Sequence, residues 1–133
     1  AATSTAAAAA VGAPWTSLRP PLSDATLSCV HDAFGFATMT PVQAAAIPPL
    51  LADNDVVAQA QTGSGKTLAF VVPIVERLLR AELASGGTVA PAQKVVAVVV
   101  SPVRELAKQT FDVIAKFVNH LSPSSSERDG GDG

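Results

Sequence analysis

Eight consecutive residues have the types and spacing of a phosphate-binding loop: Ala60, Gln61, Thr62, Gly63, Ser64, Gly65, Lys66 and Thr67. Glycine adopts backbone angles that other residues avoid, so successive N–H groups can turn towards one anion, and the following helix adds its positive N-terminal end. Lys66 is expected to reach the β- and γ-phosphates, and Thr67 to place its hydroxyl on Mg²⁺. Ala60 stands where the G-x-x-x-x-G-K-[ST] pattern has glycine. A plain Gly/Ser turn beside a surface lysine is the alternative interpretation.

The segments around this loop favour an α/β domain. Asp55–Ala58 has the pattern of a buried strand that enters the loop, and Leu68–Val72 that of an apolar helix that leaves it. Lys94–Val100 is rich in β-branched residues without alternation, which is typical of a strand buried on both faces of a parallel sheet. The order strand, loop, helix, strand, helix predicts the start of a doubly wound fold with parallel strands and flanking helices.

Two short helices are predicted before the loop. The first is capped by Ser23 and ended by Gly35. The second has Thr40 as its N-cap and Gln43 at the capping-box position, and Pro48–Pro49 are expected to limit or kink it within two turns.

Two longer helices are predicted after it. Lys66 to about Ser85 forms one helix with an irregularity at Pro73, closed by Gly86–Gly87. Val103–Leu121 carries apolar residues at helical spacing and is predicted to be amphipathic.

Composition narrows the class of protein. The chain has 133 residues, 48% of them hydrophobic, which allows one compact domain at most. The formal charge of −2 comes from the segment after Leu121, so no general basic surface indicates nucleic acid. Cys29 is the one cysteine, which excludes an internal disulfide. It lies in an apolar helical stretch, and we expect a structural role for it rather than that of a catalytic thiol.

The ends are predicted to be irregular. Residues 1–14 are Ala-rich without a basic residue, so they fit a disordered lead-in better than a targeting peptide. Residues 122–133 form a low-complexity tail. No apolar stretch approaches the roughly 18 residues that would span a bilayer, so no membrane association is expected. Because the chain starts with Ala1, we expect a fragment or a processed product.

Three segments in order resemble the motifs of DEAD-box ATP-dependent RNA helicases. Residues 35–43, GFATMTPVQ, resemble the Q motif; residues 60–67 match motif I, in which alanine is usual at the first position; residues 101–107, SPVRELA, resemble motif Ia. The resemblance covers 15–121 and implies a partial RecA-like P-loop NTPase domain that uses ATP and Mg²⁺. It also implies that the strands carrying motifs I and Ia are not neighbours, so the sheet could be interrupted.

The resemblance implies roles for particular residues. Phe36 would stack on adenine, Thr38 would help to bind the nucleotide, and Gln43 would match the adenine edge, although a simple capping box competes for Gln43. Lys66 and Thr67 would be the catalytic residues.

Motif Ia would bind the RNA backbone without regard to sequence through four residues: Pro102, Val103, Arg104 and Glu105. Val103 replaces the usual threonine, which removes one hydroxyl that could contact a phosphate. The alternative to RNA binding is that Arg104 and Glu105 are an ordinary charged first turn of a helix.

The segment from Trp15 is most similar to the branch of the family that acts in nucleolar large-subunit ribosome assembly. The implied partners are RNA and pre-ribosomal particles, in the nucleolus, for a protein expected to be monomeric.

Two alternatives stay open: a catalytically inactive nucleotide- or protein-binding fragment, and a P-loop small-molecule kinase. The sequence lacks the Asp-Glu-Ala-Asp motif that ATP hydrolysis in this family requires, so these 133 residues alone are expected to be inactive.

Overall fold

The computed structural model describes residues 12–86 and 95–122, and the regular structure in these ranges is helical. A 3₁₀ turn at Trp15–Ser17 precedes four α-helices: α1 at Asp24–Ser28, α2 at Pro41–Leu51, α3 at Lys66–Ala84 and α4 at Arg104–Leu121. The predicted lead-in over residues 1–11 and the tail from residue 123 lie outside the described residues.

The first predicted helix forms between Ser23 and Gly35, with a change of winding that the sequence did not signal. Ser23 caps α1 by accepting from the N–H of Thr26. The chain then continues as a π-helical turn over Cys29–Ala33, in which the N–H of Phe34 donates to the carbonyl of Cys29 at 3.2 Å. Gly35 ends it with a φ of 72°, an angle that glycine adopts without strain.

A buried carboxylate joins α1 to α3. The side chain of Glu76 is 1% exposed and accepts from the Ser23 N–H at 3.0 Å, the Ser23 hydroxyl at 2.9 Å and the Thr26 hydroxyl at 2.6 Å. Arg80 Nε donates to it at 3.0 Å and supplies the opposite charge. A buried charge is tolerated where it is paired and fully hydrogen-bonded, so this cluster fixes α1 on the side of α3.

Helix α2 begins as predicted but does not stop where expected. Pro41 occupies the first turn after Thr40, whereas Pro48 and Pro49 lie inside the helix, which runs on to Leu51. The prediction that these prolines limit the helix within two turns was wrong. Prolines lack a donor, but their carbonyls still accept, and the N–H of Ala52 donates to Pro48 at 3.1 Å. Each proline removes only the hydrogen bond that its own N–H would have made to the preceding turn, so the loss is confined to these two donors.

Helices α3 and α4 confirm the two long helices, and Gly86 follows α3 with a φ of 70°. A core of buried apolar side chains packs between α1, α2, α3, α4 and the 3₁₀ turn: Trp15, Leu18, Leu22, Cys29, Val30, Met39, Ile47, Leu51, Leu68, Val71, Val72, Val75 and Phe117. The N-terminal segment is attached to this core by a backbone hydrogen bond, in which the carbonyl of Ala13 accepts from the N–H of Met39 at 2.8 Å.

The predicted strands are absent from the described residues. Asp55–Ala58 and 95–100 have no ladder partner there, and the one β-bridge joins Pro14 to Thr38. Val57 is 101% exposed and Val100 90%, so neither segment is buried as predicted. A strand becomes regular when neighbours satisfy its backbone groups, and these segments do not pair with each other. The predicted strands and the parallel sheet are therefore not found in the described part of this chain.

We predict that the amides of Val95–Val100 exchange with solvent close to the rate of an unfolded chain, whereas those of Val71 and Val72 in α3 are protected. The reason is that the first set has no backbone partner within residues 12–86 and 95–122, whereas the second is buried in the core on α3. Amide hydrogen exchange measures both sets in one sample. Strong protection of Val95–Val100 in a soluble monomer would contradict the absence of a sheet.

Within residues 12–86 and 95–122, no helix is long and apolar enough to cross a membrane.

Candidate nucleotide site and nucleic-acid interface

The loop between residues 60 and 67 has the backbone geometry expected of a phosphate cradle. Gly63 and Gly65 have φ values of 82° and 87°, in the left-handed region that favours glycine. Gly65 is the N-cap of α3 and makes no side-chain hydrogen bond to the first N–H groups of the helix, which follow the loop directly. Lys66 crosses the loop, where its ammonium group donates to the carbonyl of Ala60. The cation thus lies inside the loop rather than on the outer surface.

Gln43 ties the start of α2 to this loop. Its Oε1 accepts from the N–H of Thr40 at 2.9 Å, and its Nε2 donates to the carbonyl of Gly65 at 3.1 Å. The side chain is 3% exposed, so both hydrogen bonds are shielded from water. A primary amide has two donors and two acceptor lone pairs. One donor and one acceptor lone pair are therefore not used by these two hydrogen bonds.

The fit of the loop to a triphosphate with Mg²⁺ rests on Gly63, Ser64 and Thr67. The hydroxyl of Ser64 is buried and has no hydrogen-bond partner among the described residues, as expected of a group placed for a ligand. A Cβ built on Gly63 would meet nothing within 4 Å, so space is open in front of the loop. Thr67, in the first turn of α3, is half-buried beside it. The residue types and the open space therefore fit a triphosphate with a bound Mg²⁺.

A cavity of about 570 Å³ lies between α2, α3 and α4, and aliphatic side chains dominate its wall. Lys66 and Thr67 border it, but neither Phe36 nor Gln43 does. The exposed segment 95–100 contributes Val98, Val99 and Val100 to the opposite side. Phe36 and Gln43, the candidate base-binding residues, do not line this cavity. We therefore interpret it as a gap between apolar helix faces and not as the binding site of the nucleotide base.

Phe36 and Thr38 lie on the surface near α2. The ring of Phe36 is 47% exposed, and Thr38 is exposed with its backbone in the bridge to Pro14. The structure thus brings Gln43 together with the phosphate loop and leaves a face of the Phe36 ring open to solvent. Binding of adenine by these residues stays a prediction.

The segment resembling motif Ia opens α4. Val103 stands at the N-cap without any side-chain hydrogen bond to the helix, so the first-turn N–H groups are uncapped. Pro102, Val103, Arg104 and Glu105 are all exposed. Among the arginines of the described ranges, Arg104 is the one with no hydrogen bond or ion pair, whereas Arg77 pairs with Asp53. Uncapped N–H groups and an unpaired guanidinium together can bind a phosphate.

Cys29 has the structural character expected from the sequence. It is fully buried, and loss of hydration raises the pKa of its thiol to about 11, with the Lys116 charge acting in the opposite direction. A thiol with such a pKa is protonated at neutral pH and is a poor nucleophile.

Comparison with known proteins agrees with the motifs. Residues 40–132 match the DEAD/DEAH box helicase family, which is well over half of the chain. The chain belongs to this family. The RecA-like α/β fold of that family is thereby implied for the domain to which these residues contribute, although the described residues are mostly helical.

The similar proteins include three fungal examples, each named ATP-dependent rRNA helicase SPB4. The protein from Coccidioides immitis is 47% identical over 114 residues, which cover 84% of this chain and 16% of that protein. The one from Cryptococcus neoformans is 45% identical over 128 residues, covering 95% and 16%, and the one from Emericella nidulans is 48% identical over 106 residues, covering 78% and 15%. The chain therefore spans about one sixth of the length of these relatives.

Sequence reasoning about this DEAD/DEAH box chain missed the hydrogen bond between Gln43 and Gly65. The two residues are 22 positions apart, and nothing in local spacing connects them. The sequence indicates a helix cap and a base reader as two roles of Gln43 that could coexist, but it does not indicate a contact with the loop. The amide has enough donors and acceptors for the cap, the loop contact and a further partner.

We predict that Gly65→Ala lowers the free energy of unfolding more than Gly63→Ala. Both changes place alanine at a positive φ, which costs about 1–2 kcal/mol. A Cβ at Gly65 would also lie 2.5 Å from Gln43 Nε2, so the buried amide must give up its hydrogen bond, at a further cost of about 1 kcal/mol or more. Urea unfolding of both variants measures the difference. Equal losses would mean that Gln43 does not support the loop.

Proposed function

We propose that this chain is the ATP-binding part of an ATP-dependent RNA helicase that acts on ribosomal RNA. The observation that carries the proposal is the contact between Gln43 and Gly65, because it joins the candidate base-binding segment to the phosphate loop in one site. The names of the relatives support rRNA as the substrate. The nucleolus and pre-ribosomal particles as its place of action, and a monomeric state, are parts of the same proposal.

In this proposal, ATP is bound by three groups of residues. Phe36 stacks on the adenine, assisted by Thr38, and the free donor and acceptor of Gln43 match its edge. The loop N–H groups from Ala60 to Gly65 receive the phosphates, and Lys66 exchanges the Ala60 carbonyl for the β- and γ-phosphate oxygens. Thr67 would hold Mg²⁺, which supplies charge neutralisation to the phosphates when bound.

RNA is proposed to lie along the start of α4. Pro102 and Val103 place the uncapped N–H groups at the surface, and Arg104 provides the charge for a backbone phosphate. Glu105 lies in the same first turn, where a carboxylate stabilises the helix end. Such contacts hold RNA without reading its sequence, as a helicase that acts on varied duplexes requires.

Lys66→Ala is expected to reduce ATP turnover to background in a chain extended to the length of the relatives. The change removes the one full positive charge inside the loop, where electrostatic stabilisation of the transition state is strongest. RNA-stimulated phosphate release measures the effect, and Lys108→Ala, a change of an exposed lysine on α4, is the control. Turnover at the wild-type rate in Lys66→Ala would refute the assignment of the loop.

The same assay distinguishes the helicase from a binding fragment. We expect the 133-residue chain to bind ATP without hydrolysing it and the extended chain, which would include the acidic motif of the family, to hydrolyse it. An extended chain that binds but never hydrolyses ATP would favour the inactive alternative.

We also predict that ATP binds about tenfold or more tightly than GTP. Guanine presents an acceptor where adenine presents a donor, so one hydrogen bond to Gln43 would be lost and a buried polar group left unpaired. Competition of ATP and GTP against a fluorescent ATP analogue measures the ratio, with inorganic tripolyphosphate as the reference for phosphate binding alone. Equal competition by the two nucleotides would show that Gln43 does not select the base.

A further inference from the structure

The ring of Phe34 lies at the centre of a cluster that joins the Phe36 segment to α4. Its centroid is 6.1 Å from that of Phe36, with an angle of 19° between the ring planes, and 5.0 Å from that of Phe117, with an angle of 41°. The ammonium group of Lys116 lies over the same ring, 4.6 Å from its centroid. Phe34 therefore contacts three groups, two of which belong to α4.

This cluster holds an exposed ring in one orientation. Phe36 is 47% exposed, and a half-exposed phenylalanine is ordinarily free to change rotamer. Here the backbone of Phe36 is fixed by a hydrogen bond from its N–H to the carbonyl of Val30 at 3.0 Å. Gly35, with its φ of 72°, turns the chain so that the rings on either side of it can stack. One face of the Phe36 ring therefore rests on Phe34.

The support behind Phe34 comes from α4. Phe117 is fully buried in the core, so it cannot move away without opening a cavity. Lys116 attracts the face of the Phe34 ring through its charge. Among the described residues Lys116 has no carboxylate partner, whereas Lys108 on the same helix donates to Asp112 at 2.8 Å.

We propose that Phe34 is a positioning residue that presents the Phe36 ring to the nucleotide base, and that α4 holds Phe34 in place through Lys116 and Phe117. The inference rests on the proposed function, since it needs Phe36 to stack on a base. A ring that is already oriented loses less conformational entropy when the base binds. Because α4 also begins at Arg104, the helix proposed to meet RNA is the one that supports base recognition.

The test compares ATP with inorganic tripolyphosphate, which lacks a base, on the 133-residue chain. Phe34→Leu is expected to weaken ATP binding by about threefold to tenfold, the range set by an aromatic pair, and to leave tripolyphosphate binding unchanged. Phe34→Tyr keeps the ring and is expected to bind both ligands like the wild type. Isothermal titration calorimetry measures both affinities, and circular dichroism establishes that each variant is folded.

Changes on α4 test the second half of the proposal. Lys116→Met is expected to weaken ATP binding by about twofold to threefold without affecting tripolyphosphate, because an exposed cation–π contact is a weak interaction. Lys108→Met and Phe111→Leu change exposed residues of the same helix that do not contact Phe34, and they are expected to have no effect on either ligand.

Three results would overturn the inference. Equal loss of ATP and tripolyphosphate binding in Phe34→Leu would give Phe34 a merely structural role, and unchanged binding of both would give it none. A wild type that binds ATP no more tightly than tripolyphosphate would instead refute base recognition itself, and with it the proposed role of Phe36. The last outcome concerns the proposed function, whereas the first two leave that function intact.

Discussion

The buried amide of Gln43 is the interaction on which the candidate site depends. One side chain accepts from the N–H of Thr40 and donates to the carbonyl of Gly65, so the N-terminal end of α2 and that of α3 are held at a fixed separation. The amide is shielded from water, and breaking either bond would leave a buried polar group unpaired. The geometry of the phosphate loop therefore depends on a residue outside the loop. If the segment around Phe36 binds the base and the loop binds the phosphates, as proposed, the amide that they share makes both respond to a nucleotide together.

The rest of the described structure keeps these two helix ends in place. Trp15 is fully buried, and the carboxylate of Glu76 collects hydrogen bonds from the cap of α1 and from Arg80. The hydrogen bonds of Glu76 hold Ser23 and Thr26, at the start of α1, against α3. Helix α4 supports Phe34 through the fully buried Phe117. The helices thus form a connected frame, although the extended segments 55–58 and 95–100 lie exposed with no strand beside them in the described residues.

The helices were predictable because their signals are local. Ser23 at a cap, Thr40 with Gln43, and the glycines after α1 and α3 are all determined by backbone geometry within a few residues. The strands were not predictable in the same way. A run of valines shows only a preference for burial, and a strand also requires neighbouring strands from other parts of the sequence. For the same reason the loop glycines could be predicted from spacing, whereas the contacts of Gln43 with Gly65 and of Phe34 with α4 depend on tertiary packing. The π-helical turn before Phe34 had no recognisable sequence signal.

The most direct test of the shared amide is a titration followed by ¹⁵N nuclear magnetic resonance. Mg²⁺ and ATP are added to the labelled chain while the side-chain amide of Gln43 and the backbone amides of Gly63, Gly65 and Lys66 are observed, with the exposed side-chain amide of Asn54 as the reference. If Gln43 unites the two segments, all four signals shift with one apparent dissociation constant, and Asn54 does not shift. A Gln43 signal that stays unchanged while the loop amides shift would contradict the account.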